Sequence, residues 1–156
     1  MGVRLPMLLR EAYREIGNGG FGPGYGLLPL VLDRANGGET VVGLYQSFRG
    51  VDPEEPDWSW PIGLVPFCDW GCAIRSCVDC SSSEGRVVTF DPNPREIGDD
   101  MAVSLAATHD SLDAWFSDWI AGVNIWDVMF EPDTRRERTM VNPLTPMPIV
   151  PLKLRR

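Results

Sequence analysis

The sequence has no apolar run long enough to cross a bilayer and no secretory signal at its start. Its longest apolar stretches, residues 102–107 and 123–130, are short and interrupted, whereas a transmembrane helix needs about 20 consecutive apolar residues. The N-terminus soon reaches Arg10 and Glu11, which leaves no room for the apolar core of a signal peptide. We therefore expect a chain that works in the cytoplasm without contact with a membrane.

Histidine is almost absent, so any histidine-dependent catalysis would have to use one residue, His109. It precedes a predicted helix, where the positive end of the dipole disfavours imidazolium, and no nucleophile elbow surrounds it. A capping or surface role is favoured.

The glycine-rich run over 19–26 lacks the Gly-Lys-Ser/Thr of a phosphate loop. We predict no catalytic residues and no cofactor. An enzyme remains a third alternative, which a pocket joining His109 to an acid and a nucleophile would support.

Basic residues are scarce through most of the chain. Residues 1–130 contain 8 Lys or Arg against 19 Asp or Glu, a net charge of −11, whereas residues 131–156 contain 6 against 3, a net charge of +3. An acidic body repels nucleic-acid phosphates and attracts basic partners through a field that salt screens. The charge therefore disfavours nucleic-acid binding and favours a basic protein partner.

The four cysteines, Cys68, Cys72, Cys77 and Cys80, lie close together in the sequence. Four thiolates can satisfy tetrahedral zinc. However, residues 72–80 resemble one continuous strand, in which Cys77 and Cys80 point to opposite faces. Without an export signal, reduced thiols are expected rather than disulfides, and free cysteine usually behaves as a small buried apolar residue. We favour that interpretation over zinc and predict no metal site.

Apolar periodicity predicts two helices and six strand-like segments. The first helix covers about residues 6–16 and opens at Pro6. The second covers about residues 111–130, with Asp110 or Ser111 as its N-cap, and continues through Gly122. Its aromatic and apolar face comprises Trp115, Trp119, Val123, Trp126 and Phe130. The predicted strands are residues 27–32, 40–48, 63–68, 73–80, 86–90 and 101–107.

Turn signals at residues 36–38 and 81–85 favour hairpin connections, and hence an antiparallel sheet. Pro29 and Pro66 suit edge positions better than central ones. We predict an α+β fold, in which a single domain over 1–130 has a central, largely antiparallel sheet flanked by helices. The many prolines after residue 131 predict a separate Pro-rich C-terminal arm over 131–156.

The segment from Asp52 to Trp60 contains four acids and two tryptophans. Carboxylates mixed with aromatic side chains suit the recognition of a basic protein surface. The alternative is a solvated loop whose tryptophans pack into the core, as we expect for Trp60. The candidate partner-binding residues are Asp52, Glu54, Glu55, Asp57 and Trp58.

Several short motifs, taken in order, resemble the SUKH superfamily, which includes yeast cell-wall assembly regulators and many bacterial immunity proteins. The resemblance covers about residues 3–127. The motifs are Leu5-Pro6, Asn18-Gly19-Gly20, Trp60-Pro61, Asp69-Trp70-Gly71-Cys72, the strand at 85–90 and the Trp-rich final helix. Two features depart from the family pattern. A helix usually precedes the Leu-Pro element, whereas this sequence begins only four residues ahead of it. The arm after 131 is also longer than the family pattern requires.

The resemblance implies an α+β fold without a catalytic apparatus and, in bacteria, neutralisation of a toxin from the same polymorphic or contact-dependent system. No binding site carries over, because the family is defined by scaffold residues. Together with the acidic charge, it predicts an immunity protein that binds a basic protein toxin, such as a nuclease domain. The alternative is a non-catalytic regulatory scaffold that binds a cellular protein.

Overall fold

The structure, a computed structural model, describes residues 2–32, 38–51 and 53–130. Its five strands form one antiparallel sheet, and each strand pairs with the next along the chain. The strands are β1 (Gly26–Leu27), β2 (Leu64–Gly71), β3 (Ile74–Asp79), β4 (Val87–Phe90) and β5 (Leu105–His109). The helices are α1 (Met7–Glu15), α2 (Val41–Phe48), α3 (Leu112–Ile120) and α4 (Ile125–Phe130). The predicted α+β fold with an antiparallel sheet is confirmed.

The core lies around the central strands. Every residue of β3 and β4 is buried, which shows that both faces of these strands are covered. Phe67 of β2 and Trp115 of α3 are fully buried and meet edge to face, with ring centroids 5.0 Å apart. Trp60 is 2% exposed, which confirms its predicted place in the core.

The strand predicted at residues 40–48 is wrong, because this segment is helix α2. Thr40 caps the helix: its hydroxyl accepts a hydrogen bond from the Gly43 N–H at 3.0 Å. The apolar residues follow helical spacing along one side of the segment, at Val41, Leu44, Tyr45 and Phe48. The β-branched residues at its start indicate a strand, but the N-cap at Thr40 and the helical spacing of the apolar residues favour the helix that forms.

The single helix predicted over 111–130 is also wrong, because the chain breaks between α3 and α4. Gly122 adopts a positive φ of 78°. Its N–H donates to Trp119 O, and the Val123 N–H donates to Asp118 O, which is the Schellman arrangement that ends a helix. The predicted apolar face is therefore incomplete, since Val123 is 40% and Trp126 41% exposed.

The remaining segments differ less from expectation. A 3₁₀ turn over Met101–Ser104 precedes β5, so only part of the predicted strand at 101–107 forms. The segment 27–32 contributes only to the short β1. Pro6 is the residue before α1 rather than part of its first turn.

The other strand predictions are confirmed as β2, β3 and β4, with residues 81–85 connecting β3 to β4. Pro66 lies in β2, which is the second strand of the sheet rather than an edge strand, but it is outside the stretch that pairs with β1. The predicted turn at 36–38 lies largely outside the described residues, as does the arm over 131–156.

None of the described helices combines the length and apolar character that a bilayer span requires.

Candidate partner-binding surface at the acidic loop

Trp58 attaches the acidic loop, which we define as residues 53–58, to the body of the domain. Its indole N–H donates to Phe48 O at 2.6 Å, and its ring meets the Phe48 ring edge to face at 5.7 Å. The Trp58 ring also stacks on Trp60, with 6.1 Å between centroids and 14° between planes. Trp58 is half-buried, so it holds the loop in place while part of its ring stays accessible.

Trp60 fixes the end of the loop. Its indole N–H donates to Leu64 O at 2.7 Å, and its own carbonyl accepts from Arg49 Nη1 at 2.5 Å. Its ring lies between Phe48 and Phe90, with centroid distances of 4.5 and 5.1 Å. A buried indole with its N–H satisfied is a rigid anchor, so the acidic loop leaves the core from a fixed point.

Arg95 joins the acidic loop to a second acidic loop, residues 91–100. Its Nη1 lies 2.5 Å from Glu55 Oε2, and the Arg95 side chain is only 6% exposed. The Arg95 guanidinium carbon lies 5.6 Å from the centroid of the Trp58 ring, within cation–π range. Arg95 Nε donates to Asp99 O at 3.2 Å. The sequence did not indicate Arg95, because no local pattern connects it with a carboxylate so distant in the chain.

The structure separates the predicted partner-binding residues into two groups. Glu55 and Trp58 are partly buried and meet at Arg95. Glu54 and Asp57 are exposed. Asp52 lies outside the described residues. The loop therefore combines a fixed base with carboxylates at its surface.

A surface depression of about 510 Å³ lies beside the acidic loop. Its wall includes Val51, Pro53, Glu55 and Trp58, and Val51 is strongly exposed. Apolar and aromatic surface bordered by charge is the composition of a protein-binding patch. This arrangement can receive an apolar side chain of a partner while the carboxylates face its basic groups.

The cysteines occupy separate environments. Cys68 and Cys77 are buried, Cys80 is partly buried, and Cys72 is exposed. Burial raises the pKa of the Cys68 and Cys77 thiols far above their usual range, and it raises the pKa of Cys80 to about 12. In the part of the chain that the structure describes, no three His, Cys, Asp or Glu side chains are grouped so that they could hold a metal ion.

The capping or surface role predicted for His109 is wrong. Strand β5 continues two residues further than predicted, and His109 is buried at its end. Its Nε2 lies 3.3 Å from Asp118 Oδ2. Ser111 is the N-cap of α3, and its hydroxyl accepts from the Ala114 N–H at 3.1 Å. The side chain of His109 is thus buried where the end of β5 packs against α3, beside a carboxylate of that helix.

Comparison with protein families identifies a match over most of the chain. The family model described as SMI1 / KNR4 family (SUKH-1) matches residues 1–118. The matched range contains the whole sheet, helices α1 and α2, and the acidic loop. No curated protein and no solved structure matches the chain.

Proposed function

Because the chain belongs to the SMI1/KNR4 (SUKH-1) family, we propose that it is an immunity protein of a bacterial toxin system. It binds a cognate polymorphic or contact-dependent protein toxin in the cytoplasm and blocks it stoichiometrically, without catalysis. The observation that carries this proposal is the acidic loop, in which Glu54 and Asp57 are exposed on a base held by Trp58 and Arg95.

The fixed base supports tight binding. Ordering a loop on association costs free energy for each immobilised side chain, and a preorganised surface avoids much of that cost. Trp58 and Glu55 already have partners within the domain. The depression beside them can accept an anchor residue from the toxin, and such anchors supply most of the affinity of an interface. A nanomolar complex corresponds to about −12 kcal/mol, which a standard-size interface reaches only with well-placed anchors.

The charge supports a basic toxin, such as a nuclease domain. Residues 1–130 have a net charge of −11, so their field attracts a cationic partner and accelerates encounter at low salt. Exposed carboxylates at the edge of an interface act mainly on the association rate. Glu54 and Asp57 are both exposed, as this role requires.

The test is the association rate with the candidate toxin, measured by stopped flow over a range of salt concentrations. The double variant Glu54→Gln, Asp57→Asn should associate more slowly and show a weaker salt dependence. Glu15→Gln is the matched control, because Glu15 is an exposed acid on α1. If the double variant associates at the same rate as the control, the acidic loop is not the binding surface.

The second candidate is a non-catalytic regulatory scaffold that binds a cellular protein, since regulators also occur in the superfamily that the chain resembles. The same acidic surface would then recognise a partner unrelated to toxins. A toxin gene beside the gene for this chain, with survival of cells that express both, supports immunity. Capture of one cellular protein, with no protection against the neighbouring toxin, supports regulation.

A further inference from the structure

The turn between β2 and β3 is strained at an exposed position. Gly71 pairs with Ile74, so Cys72 and Ala73 form a two-residue hairpin loop. Both have positive φ, 49° and 60°, although neither is glycine. A left-handed conformation is unfavourable for a residue that is not glycine. Strained residues persist where the surrounding structure holds them, and they concentrate at binding and catalytic sites.

An ion-pair network centred on the buried side chain of Arg75 holds this turn. Asp69 Oδ1 accepts from the Gly71 N–H at 2.9 Å and from Arg75 Nη1 at 2.6 Å. Arg75 Nη2 lies 2.6 Å from Glu39 Oε2. The Arg75 side chain is 7% exposed, and its Nε has no hydrogen-bond partner in the described chain.

The network borders a depression that an aromatic ring also lines. Tyr25, Glu39 and Asp69 all belong to the wall of this cavity, which has a volume of about 340 Å³. Tyr25 is 73% exposed. Its ring lies over Gly71, so closely that a Cβ added there would come within 2.8 Å of Tyr25 Cε2. The two terminal nitrogens of Arg75 reach toward the same wall, because they bind Asp69 and Glu39.

We propose that this depression, the hairpin pocket, binds an arginine side chain of a protein partner. Two carboxylates face one buried guanidinium, so the described residues at this pocket carry one net negative charge. Asp69 Oδ2 and Glu39 Oε1 make no hydrogen bond within the described residues, and both carboxylates retain exposed surface.

The chemistry of guanidinium favours arginine over lysine. Its planar group carries five N–H donors, so it can donate to the remaining oxygens of more than one carboxylate, and its face stacks on an aromatic ring. The hairpin pocket offers both contacts, the free carboxylate oxygens and the exposed ring of Tyr25. The pocket is separate from the acidic loop and would serve a toxin or a regulatory partner equally, so it does not depend on the proposed function.

The experiment titrates the full chain, labelled with ¹⁵N, with N-acetyl-arginine amide, and repeats the titration with N-acetyl-citrulline amide, which has a similar shape but no charge. We expect saturable shifts of the amide signals of Tyr25, Gly26 and Gly71 with the arginine compound alone. Equal shifts with citrulline, shifts spread over all acidic surfaces, or no saturable shift would each contradict the proposal.

Variants identify the contacts. Tyr25→Ala should weaken binding of the arginine compound about two- to fivefold, while Tyr25→Phe keeps the ring and the affinity. Glu39→Gln should weaken it to a similar extent, as expected of a partly exposed ion pair. Glu15→Gln is the control, because Glu15 is an exposed acid that also pairs with an arginine. Unchanged affinity in both Tyr25→Ala and Glu39→Gln would overturn the assignment.

A further variant separates this proposal from the function proposed above. The double variant Glu54→Gln, Asp57→Asn should leave the arginine titration unchanged, because the hairpin pocket does not include the acidic loop. If that variant abolishes the shifts at Tyr25 and Gly71, the compound binds through the general acidic field, and the pocket is refuted.

Discussion

Glu55 and Arg95, 40 residues apart in the sequence, form an ion pair with 2.5 Å between Oε2 and Nη1. The Arg95 side chain is almost completely buried and also contacts the ring of Trp58. One arginine thus fixes the loop that carries the candidate binding residues and attaches it to residues 91–100.

Removal of Arg95 should destabilise the domain. Arg95→Ala deletes the pair with Glu55, the contact with Trp58 and the hydrogen bond to Asp99 O. We expect the free energy of unfolding to fall by about 1.5–3 kcal/mol, the range for a hydrogen bond to a charged group. Urea denaturation measures this change.

The control for Arg95→Ala is Arg10→Ala, since Arg10 is exposed on α1. Surface changes of this kind usually stay within about 0.5 kcal/mol. Equal effects of the two substitutions would show that Arg95 does not tie the loops together.

Relief of the strain at the β2–β3 turn should stabilise the fold. The double variant Cys72→Asn, Ala73→Gly places at this loop the two residues that a hairpin with positive φ prefers. We expect a gain of about 1–2 kcal/mol, because both positions now have positive φ without glycine. Thermal and urea unfolding test this, and a variant of unchanged or lower stability would show that the turn stores no strain.

Thiol labelling should distinguish Cys72 from the other cysteines. The thiolate is the reactive form, and burial raises the pKa of Cys80 to about 12 and those of Cys68 and Cys77 further still. These three thiols therefore stay protonated at pH 8, whereas Cys72 is exposed. We expect one label per folded chain and four in denaturant, counted by mass spectrometry. Rapid labelling of Cys77 in the folded chain would contradict the structure.

Substitution of Gly122, the residue that ends α3, should lower the stability of the domain. Gly122 has a φ of 78°, and no atom lies within 4 Å of a Cβ added there, so backbone strain is the main cost of a side chain. Gly122→Ala should lose about 1 kcal/mol, and Gly122→Asn should lose less because asparagine tolerates this conformation. Thermal unfolding compares the stability of the unchanged chain with that of the two variants. If alanine and asparagine cost the same, left-handed strain is not the cause.

Local patterns predicted most of the sheet but misassigned two helical segments. The strands β2, β3 and β4 follow from apolar runs bounded by turn residues. Segment 40–48 resembles a strand because β-branched residues open it, although Thr40 as a cap and the helical spacing after it indicate a helix. The local pattern does not indicate the end of α3, because Gly122 resembles a tolerated interior glycine, whereas it is the residue after a helix C-cap.

Less of the candidate site than of the fold can be predicted from the sequence. The acidic loop and the core position of Trp60 follow from local composition. The pairing of Arg95 with Glu55 does not, because it depends on how two loops meet after folding. The network of Arg75 with Asp69 and Glu39 has the same origin, since an isolated arginine within a strand gives no sign of its tertiary partners.

The most direct test of the account is a titration of the purified chain into the toxic domain encoded beside its gene. Calorimetry measures the binding during the titration, and an enzymatic or cell-killing assay measures the remaining toxin activity. The account predicts a one-to-one complex, complete inhibition at one equivalent, and slower association for the Glu54→Gln, Asp57→Asn variant. A toxin that stays fully active in excess of this chain, with no heat of binding, would contradict it.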